Sequence, residues 1–170
     1  MKRAVWMGAA MGLALCADNA LADTHVIARS GAWQAFGGTT NNGRPVCGMS
    51  SSGNGKYFGL KFFSGEETLT VQLGNDKWKV KDKIKVKVQM RFDNESPWNA
   101  TAIGMHFSDG DAGLEFDISR KQLDVFIREF RNSNQIAIRF PDEDVSDWHG
   151  SLEGTDSVAN GFMRCVRDIK

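Results

Sequence analysis

The chain has 170 residues, 41% hydrophobic and 25% charged, with Lys plus Arg and Asp plus Glu both at 21 and a formal net charge of zero. That length suits one domain with a substantial core, and the balance excludes a whole-molecule field of the kind that draws a protein to nucleic acid or a membrane. Any electrostatic role must come from local clustering of charge.

The first segment reads as a cleavable secretory signal. Lys2 and Arg3 form a positive start, Ala4 to Ala17 is apolar, and Ala20-Leu21-Ala22 offers the small residues that signal peptidase accepts, which puts the cut after Ala22. The apolar run is about 14 residues, against roughly 20 for a membrane span, and Asp18 and Asn19 interrupt it. Cys16 raises acylation as an alternative, but Leu15 stands where lipoprotein processing takes a small residue. The expected organisation is a signal over 1–22 and a single domain over 23–170, periplasmic or secreted, with no transmembrane segment after cleavage.

Beyond the signal, His25 falls in a segment expected to be flexible, and the Gly-rich run 37–43 reads as a hairpin turn. Hydrophobic alternation with period two then predicts strands at Pro45 to Ser51, Tyr57 to Phe62, Thr68 to Leu73, Ile84 to Phe92, Ala100 to Phe107, Gly113 to Ile118 and Gln135 to Phe140. Between the last two, Ser119 to Gln122 matches a capping box, and Leu123, Phe126, Ile127 and Phe130 share one helical face, which predicts a helix over 120–131. In the tail, Thr155 or Asp156 is placed to cap a helix carrying Val158, Ala159, Phe162, Met163, Val166 and Ile169. The predicted class is mainly β: an antiparallel β-sandwich with one short covering helix and a C-terminal helix tied by a disulfide. That bridge is Cys47 to Cys165, the two cysteines left after signal removal in an oxidising compartment.

From Lys77 to Arg91 every odd position except Gln89 is Lys or Arg, and most even positions are apolar. On a strand, Lys79, Lys81, Lys83, Lys85, Lys87 and Arg91 would stand in one solvent-facing row about 7 Å apart, a landing surface for an anionic partner. The plainer explanation is that lysines keep a sheet edge from pairing with other chains. Asp109, Asp111 and Glu115, with Gly110 and Gly113 among them, offer oxygen ligands for calcium, though a turn between strands is rich in Asp and Gly anyway. The run Asp142, Glu143, Asp144 and Asp147 reads as a solvated loop or a docking surface.

His106 would share a strand face with Ala100, Ala102 and Gly104, where acid–base work would need a partner such as Asp109. None of the three histidines has a second His or Cys at zinc-ligand spacing. Ser50, Ser51 and Ser52 lack a nucleophile elbow, and Trp78 and Tyr57 come with no nucleic-acid recognition signature. No catalytic residue, cofactor or metal is expected. Trp33, Trp78, Trp98 and Trp148 are spread along the chain and read mainly as packing residues.

Trp33 ahead of Pro45-Val46-Cys47-Gly48-Met49, a β body, and Leu152-Glu153-Gly154-Thr155 leading into a helix with Cys165 resemble the invasion-associated locus B family of bacterial envelope proteins. The resemblance is one of layout, and the family's additional cysteine near the first Trp has no counterpart, since Phe36 and Gly37 occupy that region. It implies a periplasmic or outer-envelope β-sandwich without enzymatic activity, taking part in envelope function or host-cell contact. The sequence therefore points to a non-enzymatic exported binding module whose partner is an envelope or host protein or an anionic glycan or lipid surface, with no nucleic acid. The alternative is a glycan or peptidoglycan hydrolase, for which Asp109, Asp111 and Glu115 would have to converge.

Overall fold

A computed structural model describes residues 23–169; the expected signal, its cleavage point and Cys16 lie outside the described residues. The chain forms β1 (Thr24–Ser30), β2 (Trp33–Thr39), β3 (Pro45–Gly53), β4 (Lys56–Phe63) and β5 (Thr68–Asn75), then β6 (Lys85–Phe92), β7 (Trp98–His106) and β8 (Ala112–Ser119). A short 3-10 turn (Arg120–Gln122) leads into helix α1 (Leu123–Asn132), followed by β9 (Gln135–Arg139), β10 (Trp148–Ser151) and helix α2 (Thr155–Asp168).

The strands form one ten-stranded antiparallel sheet in the order β1-β2-β3-β4-β5-β8-β7-β6-β9-β10. The first five are a meander of hairpins. The chain then crosses over, so that β8 rather than β6 pairs with β5, in the register Leu69↔Ile118, Val71↔Phe116 and Leu73↔Leu114. Period-two patterning fixes that register, because a slip of one residue would turn every apolar side chain outward. The two faces expected of a sandwich are thus halves of one continuous sheet that curls over a common core. Aromatic side chains of α1 join the halves: Phe130 meets Trp33 and Phe58 from one half at 5.1 and 6.1 Å between centroids, and Phe92 from the other at 5.8 Å. Trp33 Nε1 donates to the Ser151 carbonyl at 3.1 Å, which brings β2 beside the far end of the sheet.

Helix α2 covers β1, β2 and β3 through Val158, Ala159, Phe162 and Val166, all buried. Cys165 on this helix is bonded to Cys47 on β3, with 5.9 Å between the Cα atoms, as expected from the sequence. Gly37 on β2 makes room for the bridge: a Cβ there would stand 3.2 Å from Cys165 Sγ and equally close to the Ile27 side chain.

Both expected caps fail for physical reasons. Ser119 is still paired with Thr68 in the β5–β8 ladder and makes no side-chain cap, and the Arg120 N–H donates instead to the Glu67 carbonyl at 2.8 Å. Thr155 is the first residue of α2 and lies in the core, its hydroxyl donating to the Leu152 carbonyl at 2.7 Å with the Phe130 carbonyl 3.3 Å away. The cap position is Gly154 at φ +90, where a side chain would run into Ser30.

The patterned strands sit where the alternation places them, and the helices match within the fraying expected of helix ends. Three strands were not legible. His25, expected in a flexible segment, lies in β1, whose register shifts between Val26 and Ala28 and so breaks the alternation. The 37–43 turn is confined to Thr40–Arg44, because Gly37 and Gly38 belong to β2. At four residues, β10 is too short to show a period.

Candidate anion-binding site

The cationic row is shorter as a strand than its spacing suggests. Only Lys85, Lys87 and Arg91 lie on β6, exposed on its outward face, while Val86, Val88, Met90 and Phe92 point into the core. Lys77, Lys79, Lys81 and Lys83 are exposed on the β5–β6 connection, where the chain leaves extended structure. Trp78 pins that connection by stacking on Trp148 at 4.9 Å and meeting Phe140 edge-on at 5.5 Å. Lys83 then turns at φ +65, its N–H donating to the Gly104 carbonyl, and Ile84, expected to start the strand half-buried, is exposed. Asp76 and Asp82 dilute the charge of the connection.

Strand β6 runs between β7 and β9, but only Gln89 and Met90 are paired on both sides: Lys85 and Lys87 pair with β7 alone and Arg91 with β9 alone. Gln89, the neutral gap in the row, is tied to Asn99 of β7 at 3.1 Å and faces Arg139 of β9. Arg139 adds a fourth cation to the surface. The acidic run expected as a loop folds back onto it: Asp142 Oδ2 meets Lys87 Nζ at 2.9 Å, and Asp147 Oδ2 meets Arg139 Nε at 3.0 Å. The hydrogen bond that Lys87 donates to Asp142 holds its ammonium above the ordinary lysine range. Among the described residues, Lys85 and Arg91 have no carboxylate within 4 Å.

The other candidates separate in space. His106 faces Asp82 across 2.7 Å rather than Asp109, and both are exposed. Asp109 accepts the backbone N–H of Asp111 in its own turn. Glu115 stands three residues along β8 from the β7–β8 turn, on the outward face, beside Gln72 and Lys61. Burial pulls the Lys61 ammonium down against the opposing pull of Glu115, and pushes the Tyr57 hydroxyl up. Among the described residues, no three His, Cys, Asp or Glu side chains converge as a metal set. Ser50 is buried and accepts from Gln34, and Cys47 is bridged.

A cleft of about 290 Å³ lies between the β3–β4 hairpin and β9–β10. Its aromatic lining is already engaged: Trp33 packs on Phe58 and Phe130, and Lys56 lies over the Trp148 ring at 5.3 Å. Trp98 donates to Glu129 at 2.7 Å. The four tryptophans among the described residues therefore take part in packing, as expected.

Sequence reasoning missed a second cationic surface. Arg128 and Arg131 on α1 and Arg164 and Arg167 on α2 line a groove of about 560 Å³ between the helices. Each pair has the i, i+3 spacing that puts side chains on one helical face, a signal present in the sequence. That the two faces meet is set by the packing of α1 on α2, which no local pattern reveals.

Compared with known proteins, no family model and no curated protein matches the chain. A solved structure, invasion-associated protein B from Bartonella henselae, superposes with a TM-score of 0.53 at 10% sequence identity, covering 86% of this chain and 96% of that one. The likeness is one of fold. No helix among the described residues is long and apolar enough to cross a membrane.

Proposed function

We propose that this chain is an exported, non-enzymatic interaction module of the bacterial envelope that engages an anionic partner through the outward face of β6. The observation that carries the reading is the clustering of exposed cations on one outward face: Lys85, Lys87 and Arg91 alternate along β6 with Arg139 of β9 beside them, and Lys85 and Arg91 have no carboxylate within 4 Å among the described residues. Lys79, Lys81 and Lys83 are exposed on the adjoining connection, which passes Gly104 on the core side of β7, and so stand apart from this face. The partner class is a carboxylated or phosphorylated glycan, lipid surface or acidic protein. The fold of an invasion-associated protein accords with an outward-directed role, as does the sequence of residues 1–22.

The test is retention on an acidic polysaccharide matrix and on anionic phospholipid vesicles across a salt series. Replacing Lys85, Lys87 and Arg91 by Gln should weaken retention and flatten its salt dependence, because exposed charges act through a screened field, and should leave the thermal midpoint nearly unchanged. Indifference of retention to the triple change would remove the proposal. Export is checked separately by the mass of the native product, expected to begin at Asp23.

A further inference from the structure

We propose that the groove between α1 and α2 is a phosphate-class oxyanion site, separate from the β6 face and formed by Arg128, Arg164 and Arg167 around a fixed Arg131. Helices α1 and α2 pack on the inner side of the sheet, through Phe126 and Phe130 and through Phe162 and Val166, whereas the β6 cations point outward. The two surfaces therefore face opposite ways.

Four observations converge on the ligand class. First, the cations lining the groove are all arginines, whose planar guanidinium groups present fixed forks of donors and stay charged at any working pH. Second, Arg131 is already oriented, donating through Nε and Nη2 to Asp156, while Arg128, Arg164 and Arg167 have no carboxylate within 4 Å among the described residues. Third, the charges match: Asp124 and Asp156 against four guanidinium groups leave two positive charges, and a phosphomonoester carries about 1.5 to 2 negative ones at neutral pH. Fourth, the arginines come from two walls over a floor of Ile127 and Met163. A carboxylate is satisfied by one fork in its plane, whereas the three terminal oxygens of a phosphate accept forks from both walls at once.

Without an anion, like charges at i, i+3 on each helix and across the groove repel one another. A bound dianion turns that repulsion into attraction, and the apolar floor strengthens it by excluding water from one side.

The test is calorimetric titration of the oxidised, purified protein with inorganic phosphate, with phosphatidylcholine vesicles containing phosphatidic acid, and with oligoglutamate. Wild type should bind phosphate, and the double variant Arg164→Gln, Arg167→Gln should lose about tenfold or more in affinity, as expected for charged hydrogen bonds. Arg164→Lys with Arg167→Lys keeps the charge and removes the fork, so it should recover only part of the loss, and its retained charge and fold separate recognition from misfolding. The Lys85, Lys87, Arg91 triple Gln variant should bind phosphate as wild type does, which distinguishes this site from the β6 face. Tighter binding to the vesicles than to free phosphate identifies a lipid headgroup as the source, and equal binding identifies the free ion; both support the site. The proposal is overturned if wild type binds no phosphate probe, if the arginine variants bind as wild type, if the β6 variant abolishes binding, or if oligoglutamate binds as tightly as phosphate.

Discussion

The two cationic surfaces differ in how their charge is assembled and in what neutralises it. On β6 the cations alternate along one strand, on an open face, and two members of that face carry a counter-ion from the next loop, Lys87 with Asp142 and Arg139 with Asp147. Between α1 and α2 the cations are all arginines, come from two helices, and face a shared groove in which one of the four is paired. A run of lysines in sequence is a surface that the fold tends to compensate with neighbouring acids. Arginines gathered from distant segments are charge that the fold holds together without full compensation, and such an arrangement marks a site more sharply.

The largest effect that separates the two surfaces should come from the disulfide. It ties α2, and with it Arg164 and Arg167, to β3 across 118 residues, whereas β6 is held by its own ladders to β7 and β9. Replacing Cys47 and Cys165 by Ala should cost about 2 to 5 kcal/mol of unfolding free energy, measured by urea titration. Affinity for phosphate in the groove should fall with it, while retention through the β6 face persists in the molecules that remain folded. Equal loss at both surfaces would show that they are one cooperative unit and not two.

A smaller effect is expected from the acidic loop. Changing Asp142 and Asp147 to Asn frees Lys87 and Arg139 and should strengthen retention on acidic polysaccharide about two- to fivefold, the range for exposed ion pairs. The same change should leave the groove untouched. Unchanged retention would mean that the loop is not in competition with the partner.

Much of this architecture could be read from alternation alone. Phe58, Leu60 and Phe62, or Val86, Val88 and Met90, announce a buried face because a strand repeats every two residues, and those side chains are in the core. The failures share a physical cause, which is that tertiary partners override local pattern. Ser119 looks like a cap, yet the β5–β8 ladder holds its backbone. Lys77 to Lys83 look like strand, yet Trp78 is drawn to Trp148 and Phe140 and bends the chain away. For the candidate site, Lys85, Lys87 and Arg91 were legible because one element carries them, while Arg128 and Arg164 were not, because only the α1–α2 packing makes them neighbours.

The smallest effect tests the joint between the two surfaces. Asp93 follows the last residue of β6, and its carboxylate accepts the N–H groups of Asn134 and Gln135 at 2.9 Å each, where the chain leaves α1 and enters β9. The hydrogen bonds from Asn134, then Gln135, hold this carboxyl below the ordinary aspartate range. A carboxyl with a lower pKa folded than unfolded adds stability that is complete above the unfolded value, about 3.9 for aspartate, and is lost as pH falls through the folded one. The difference in urea midpoint between wild type and Asp93→Asn should therefore be constant from neutral pH down to about 5 and shrink as the solution is made more acid. A difference that stays constant into strong acid would show that the joint is held by the shape of residue 93 and not by its charge. The helix and the strand would then be coupled by backbone geometry alone, and the two surfaces would keep their relative placement at any pH at which the core survives.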